Sequence, residues 1–116
     1  MKQIKELLVD LYGCKSDLND VETLTGILTT AAQRMGSKII KTTSHQFSPT
    51  GATVILILAE THVSIHTWPE HAYAALDIFI CSEAIDPEVG WHVVKNALNP
   101  SSFEIHRLTR KIEESR

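Results

Sequence analysis

Apolar positions along the chain fall into strand-like and helix-like stretches separated by short turn signals. Ile4 to Tyr12 fits a strand or a short helix; the stop at Gly13 and the Ser16-Asp17 turn favour a strand. Val21, Leu24, Ile27, Leu28, Ala31, Ala32 and Met35 recur at helical spacing. They predict a helix capped by Asn19 or Asp20 and stopped by Gly36. Ser37 to Phe47 carries β-branched residues and reads as a strand, and Ser48-Pro49-Thr50-Gly51 is a turn signal. Ala52 to Ala59 is apolar but for Thr53, the pattern of a strand buried on both faces. His62 to Trp68 alternates before Pro69, and Tyr73 to Cys81 is a further strand. Asp86-Pro87-Glu88 opens a second helix that runs to about Leu98 and ends at Asn99-Pro100. Ser102 to Leu108 reads as a last strand, and the charged tail from Thr109 to Arg116 is expected to fray.

The order is strand, helix, four strands, helix, strand. It predicts an α+β fold: a two-layer sandwich of a largely antiparallel sheet with two helices on one face. A chain of 116 residues fits a single domain spanning 1–116, and no linker, repeat or low-complexity segment divides it.

Composition narrows the function classes. The formal net charge of -3 and the absence of an arginine-rich helix give no sign of a nucleic-acid partner. The longest apolar run, Val54 to Ala59, is too short to span a bilayer, and MKQIKELLVD lacks the apolar block of a signal peptide. Cys14 and Cys81 lie far apart and match no zinc or redox spacing, so the expected setting is reducing and cytoplasmic.

Reactive side chains crowd into one stretch, ETHVSIHTWPEHAYAALDIFIC, residues 60–81. Taken singly, most of them have plain explanations. His62 and His66 share a strand face, but their Cα atoms are about 13 Å apart, too far for one metal ion without a bend; no metal is expected. An isolated Cys81 is most often a small buried hydrophobe. Trp68 before Pro69 packs, and Glu70 is a solvated loop carboxylate. Asp77, in an apolar strand, is harder to dismiss, because a buried carboxylate needs partners.

Together they form a different picture. From about Leu8 to Leu98 the chain resembles the short bacterial and archaeal S-adenosylmethionine decarboxylases, pyruvoyl-dependent enzymes of polyamine synthesis. The resemblance rests on Asp10-Leu11-Tyr12-Gly13, on His45-Gln46-Phe47-Ser48-Pro49-Thr50-Gly51-Ala52-Thr53, and on Leu58-Ala59-Glu60. It continues through Ile65-His66-Thr67-Trp68-Pro69-Glu70, Tyr73-Ala74-Ala75, Asp77 and Cys81. It implies that the chain cuts itself after Glu60, giving a β chain 1–60 and an α chain 61–116. Residue 61 then becomes the ketone that forms a Schiff base with the substrate. The resemblance further implies that His66 is the base for processing, assisted by the Thr53 hydroxyl. Cys81 would be the proton donor to the substrate. Phe47, Trp68 and Glu70 would form the S-adenosylmethionine pocket, with Phe47 stacking on adenine and Glu70 holding the ribose hydroxyls. It also implies a homodimer with sites built by both protomers, and a product that feeds spermidine synthesis.

Decarboxylating an amino acid needs an electron sink beside its α carbon, and no ordinary side chain carries a ketone. The family makes one from a serine; here the join reads Glu60-Thr61-His62. Thr61 keeps the required hydroxyl but adds a methyl and a stiff χ1. Processing would leave a 2-oxobutanoyl cap instead of pyruvoyl; an unprocessed chain would be a ligand-binding or regulatory subunit. Other departures are Glu6 near the position of a family histidine, and Val54, Ala72 and Ser82 where the family has glycine. A Glu-Arg-Gly stretch of the family is missing from IHRLTRKIEESR, and some relatives act on arginine or ornithine. On an unbroken strand residues 61 and 66 face opposite ways, so the mechanism demands a bend near Glu60 to His62.

Overall fold

A computed structural model describes residues 2–113. Its elements follow the predicted order: β1 (Lys2–Tyr12), α1 (Val21–Met35), β2 (Ile39–Gln46), β3 (Ala52–Leu58), β4 (Thr61–Trp68), β5 (Tyr73–Ile80), α2 (Pro87–Leu98) and β6 (Ser102–Ile112). A 3-10 turn, Pro69–His71, joins β4 to β5. The six strands form one sheet in the order β2-β3-β4-β5-β1-β6, and every neighbouring pair is antiparallel. No helix among the described residues is long and apolar enough to cross a membrane.

Both helices lie on the same face of the sheet. Asp20 caps α1 by accepting from the Glu22 amide, and Asp86 caps α2 through the Glu88 amide. Gly36 closes α1 in the left-handed region at φ 80. Beneath the helices the strands contribute alternate residues: Leu7, Val9 and Leu11 from β1; Val54, Leu56 and Leu58 from β3; Val63 and Ile65 from β4; Leu76, Ile78 and Ile80 from β5. They pack against Leu24, Leu28, Ala32, Trp91, Val94 and Leu98 from the helices. The other face of the sheet carries no helix.

Three expectations are corrected. β3 is buried on one face only: its exposure alternates and Ile57 is 44% exposed, because the sheet has a helix layer on a single side. β6 runs on through Thr109 to Ile112, since its pairing with β1 reaches Lys2↔Ile112; the rest of the expected fraying tail, 114–116, lies outside the described residues. β5 ends at Ile80, which leaves Cys81 just beyond the strand.

Ala72, which stands where the resemblance places glycine, has φ 51. Left-handed backbone costs a residue with a Cβ roughly 1–2 kcal/mol, and glycine in exchange loses up to about 1 kcal/mol more entropy on folding. Ala72→Gly is therefore expected to leave stability unchanged or raise it by up to about 1 kcal/mol, measured by urea unfolding.

Candidate active site

The helix-free face is a grid of cross-strand rows. One row is His45–Thr53–His66–Ala75–Asp10–Glu104, the next Thr43–Ile55–Ser64–Asp77–Leu8–His106, and a third Lys41–Ile57–His62–Phe79–Glu6–Leu108. His66 and Thr53 sit opposite each other, with His66 Nδ1 2.9 Å from Thr53 Oγ1. His62 stacks on its cross-strand partner Phe79 at 5.3 Å between centroids. The half-buried Asp77 lies diagonally between the two imidazoles. Burial pushes its carboxyl up from the ordinary value; the facing His66 and His62 pull it down and Asp10 raises it further.

At one end of the face a cleft of about 420 Å³ is lined by Phe47, Thr53, His66, Trp68 and Glu70, together with the Ser48–Gly51 turn. The turn is tied to the start of α1: the Asn19 side chain accepts from the Gly51 amide at 2.8 Å, and Gln46 accepts from the Val21 amide at 3.2 Å. Gly51 has φ 106, and a Cβ there would lie 3.1 Å from the Thr67 carbonyl oxygen, so a larger residue would push the turn away from β4. Thr67 itself is buried and satisfied, donating to the Leu18 carbonyl at 2.7 Å. Phe47 and Trp68 are 47% and 42% exposed; Phe47 meets His45 edge-on at 4.5 Å and Trp68 lies against Tyr73 at 5.4 Å between centroids. Beside Trp68, Tyr73 donates its hydroxyl to Asp10, and its pKa is pushed up to about 12 by burial and by that carboxylate.

Glu60, Thr61 and Cys81 occupy the opposite end. β3 turns into β4 through Ala59 and Glu60, with Leu58 paired to Thr61. The Glu60 carbonyl oxygen accepts from the Cys81 amide at 2.9 Å. Thr61 has φ 135, a conformation in which a β-branched residue is a rare outlier costing on the order of 1–3 kcal/mol. Its Oγ1 is the one buried side-chain oxygen or nitrogen among the described residues without a hydrogen-bond partner. Cys81 is partly exposed, unpaired, and borders a depression with Lys2, Gln3, Ser82 and Glu83.

The structure thus gathers Phe47, Thr53, His66, Trp68 and Glu70, and separately Glu60, Thr61 and Cys81. It does not bring the two groups together. Thr61 pairs with Ile80 in the register of the helix-covered face, while His66 is on the other face five residues along β4, roughly 17 Å away. The backbone departs from strand geometry at Thr61, but β4 runs unbroken from there to Trp68. Sequence reading missed a cluster of Asp10, Glu104 and His106, whose ligand atoms lie within 4.8 Å of one another. Only the β1–β6 register reveals it. Such exposed clusters commonly hold no ion, and this one supports no metal assignment.

The class defined by these features is a two-layer α+β sandwich with its ionisable groups on the face the helices leave open. That architecture matches solved S-adenosylmethionine decarboxylases. The adenosylmethionine decarboxylase of Aquifex aeolicus superposes with a TM-score of 0.90 at 32% identity, covering 99% of this chain and 96% of that one. The Trypanosoma brucei enzyme matches at 0.60 with 18% identity over 87% of this chain and 44% of its own, a likeness of fold. The family model for S-adenosylmethionine decarboxylase matches residues 5–111. The S-adenosylmethionine decarboxylase proenzyme of Methanococcus vannielii is 40% identical over 114 residues, covering 97% of this chain and 93% of the relative. That of Brevibacillus brevis is 38% identical over 111 residues, covering 95% and 84%. This chain belongs to the S-adenosylmethionine decarboxylase family.

Asp77 gives a pH test of the open face. Its folded pKa stands above the ordinary 3.8, so between the two values the folded chain holds a proton that the unfolded chain has released. This carboxyl therefore lowers stability as pH rises from about 4 through the folded pKa. Asp77→Asn is expected to remove that decline and to be at least as stable as the parent at pH 7, measured by urea unfolding across pH 4–8.

Proposed function

We propose that this chain is a proenzyme that cuts its own backbone between Glu60 and Thr61 and then converts S-adenosylmethionine to its decarboxylated form and carbon dioxide. The product is an aminopropyl donor for spermidine synthesis. The supporting observation is the state of Thr61: strained backbone and an unsatisfied buried hydroxyl at the residue whose oxygen must attack. A buried unpaired hydroxyl costs about 1–3 kcal/mol, so the intact hairpin is held in a destabilised ground state that cleavage relieves.

The chemistry runs on the chain's own atoms. Thr61 Oγ1 attacks the Glu60 carbonyl carbon, whose oxygen is polarised by the Cys81 amide. The C–N bond breaks as the acyl group moves to oxygen, leaving an ester and a free amine on residue 61. Removal of the residue 61 α proton by the His66 of a second copy then breaks the Cβ–Oγ bond. Glu60 departs as a carboxylate, the new C-terminus of the β chain 1–60. The enamine left at residue 61 tautomerises to an imine and takes up water, and ammonia leaves. The α chain 61–116 then begins with a 2-oxobutanoyl cap. That ketone can condense with the substrate amine and accept the electron pair freed when carbon dioxide leaves. Cys81 returns a proton to the substrate carbon. Phe47 and Trp68 flank the adenine and favour the sulfonium charge, and Glu70 accepts from the ribose hydroxyls. Unpaired Cys14 and Cys81 suit a reducing cytoplasm.

The roughly 17 Å between Thr61 and His66 argues that one chain alone is incomplete. A second copy stacked on the open face, with strands antiparallel, would set its His66 end over the end of β4 that carries Thr61, and Thr61, already out of strand geometry at φ 135, would turn towards that face. The open face suits such a partner, because it exposes Ile57 and Leu108 beside partly buried Leu8, Ile55 and Phe79.

Thr61→Ala is expected to abolish cleavage, read as one band on a denaturing gel and by intact mass. Thr61→Ser is expected to cleave roughly two- to tenfold faster, if the methyl costs about 0.5–1.5 kcal/mol of rotamer strain. A parent chain that stays whole would instead be a ligand-binding or regulatory subunit.

The shared site has its own test. Thr61→Ala and His66→Ala chains, each alone, are expected to remain intact. Co-refolded, the mixture is expected to cleave only the His66→Ala chain, whose Thr61 then meets a partner's His66. Absence of cleavage in the mixture would place both groups within one protomer.

A further inference from the structure

The end of α1 holds the scissile hairpin from a side that the cleavage chemistry does not use. After Gly36 closes the helix, the Ser37 amide donates back to the Ala32 carbonyl at 2.9 Å, which fixes Ser37 rigidly to the last helical turn. From there two contacts reach the hairpin. The Ser37 hydroxyl donates to Glu60 Oε1, and the Lys38 carbonyl accepts from the Ala59 amide at 2.9 Å. Ser37 is only 8% exposed, so its bond to the carboxylate is shielded from competing water. On the far side, the Cys81 amide holds the Glu60 backbone carbonyl. The residue before the scissile bond is thus clamped by its side chain to α1 and by its carbonyl to the end of β5.

We propose that Ser37 is a positioning residue for self-cleavage: its hydroxyl, by holding the Glu60 carboxylate, keeps the Glu60–Thr61 peptide in the strained geometry that presents its carbonyl to Thr61 Oγ1. Without that clamp Glu60 can rotate, and Thr61 can relax out of its φ 135 conformation. The clamp acts on cleavage alone. Once the Glu60–Thr61 bond is gone, Ser37 has no connection to residue 61, and it borders none of the residues proposed to hold substrate. The inference rests on the proposed self-processing.

The test separates cleavage from turnover. Parent, Ser37→Ala, Ser37→Thr, Glu60→Ala and the Ser37→Ala/Glu60→Ala double variant are purified uncleaved or early in processing. Cleavage is followed by denaturing gel, and carbon dioxide release is then measured per processed chain. Ser37→Ala is expected to slow cleavage about tenfold or more, the scale of a hydrogen bond to a charged group. Its turnover per processed chain should match the parent. Ser37→Thr, which keeps the hydroxyl, should restore the cleavage rate, and the double variant should be no slower than Glu60→Ala. Parent-like cleavage in Ser37→Ala, or additive losses in the double variant, overturns the clamp and leaves self-processing standing. A loss of turnover per processed chain equal to the loss of cleavage assigns Ser37 a general structural role and also overturns it. A parent that never cleaves removes the self-processing reading and the clamp with it.

Discussion

Burial of alternate strand residues under α1 and α2 is the constraint on which the rest of this structure depends. The helices cover one side of the sheet, so Leu7, Val9, Val54, Leu56, Val63, Ile65, Leu76 and Ile78 must all point the same way. That requirement fixes the register of each strand, because a slip of one residue would turn the apolar set to solvent. It also dictates the other side. With the apolar parity committed to the helices, His62, His66, Asp77, Thr53 and Asp10 are left on the open face, stacked in register from strand to strand. The reactive surface is the complement of the core.

The β3–β4 hairpin concentrates the cost. Leu58 and Ile80 are deeply buried on either side of Thr61, and both stand in its register. The core thus holds the ends of the hairpin while Ala59 and Glu60 must close it in two residues. Thr61 absorbs the mismatch with φ 135 and an unpaired hydroxyl. Contacts from Ser37, Lys38 and the Cys81 amide hold the two turn residues beside it. A threonine at this point carries the hydroxyl chemistry of a serine with a stiffer side chain, so conformational control by neighbours matters more here.

Asp77 shows what this arrangement does to an ionisable group on the open face. Its carboxyl is half-buried, and burial pushes its pKa up while the facing His66 and His62 pull it down. Ile57 and Leu108 are exposed on the same open face.

Much of this protein is legible in its sequence. The helical spacing of Val21 to Met35, the stop at Gly36, the Asp86-Pro87 start of α2 and the turn at Ser48–Gly51 all act within a few residues, so local pattern determines them. The run from Glu60 to Cys81, with His45 to Thr53, likewise carries the family resemblance without a structure. What tertiary structure decided depends on partners distant in the chain. Ala52 to Ala59 reads as doubly buried because its composition is apolar at every position but Thr53, and only the single helix layer shows that Ile55 and Ile57 face outward. β6 continues to Ile112 because Lys2 to Ile4 lie ready to pair with it, which a charged tail does not announce. Candidate residues that adjoin in sequence separate into two groups in space, since each step along β4 adds about 3.3 Å and reverses the face. And Ser37, unremarked in sequence, meets Glu60, 23 residues further along, because the end of α1 packs beside the β3–β4 hairpin.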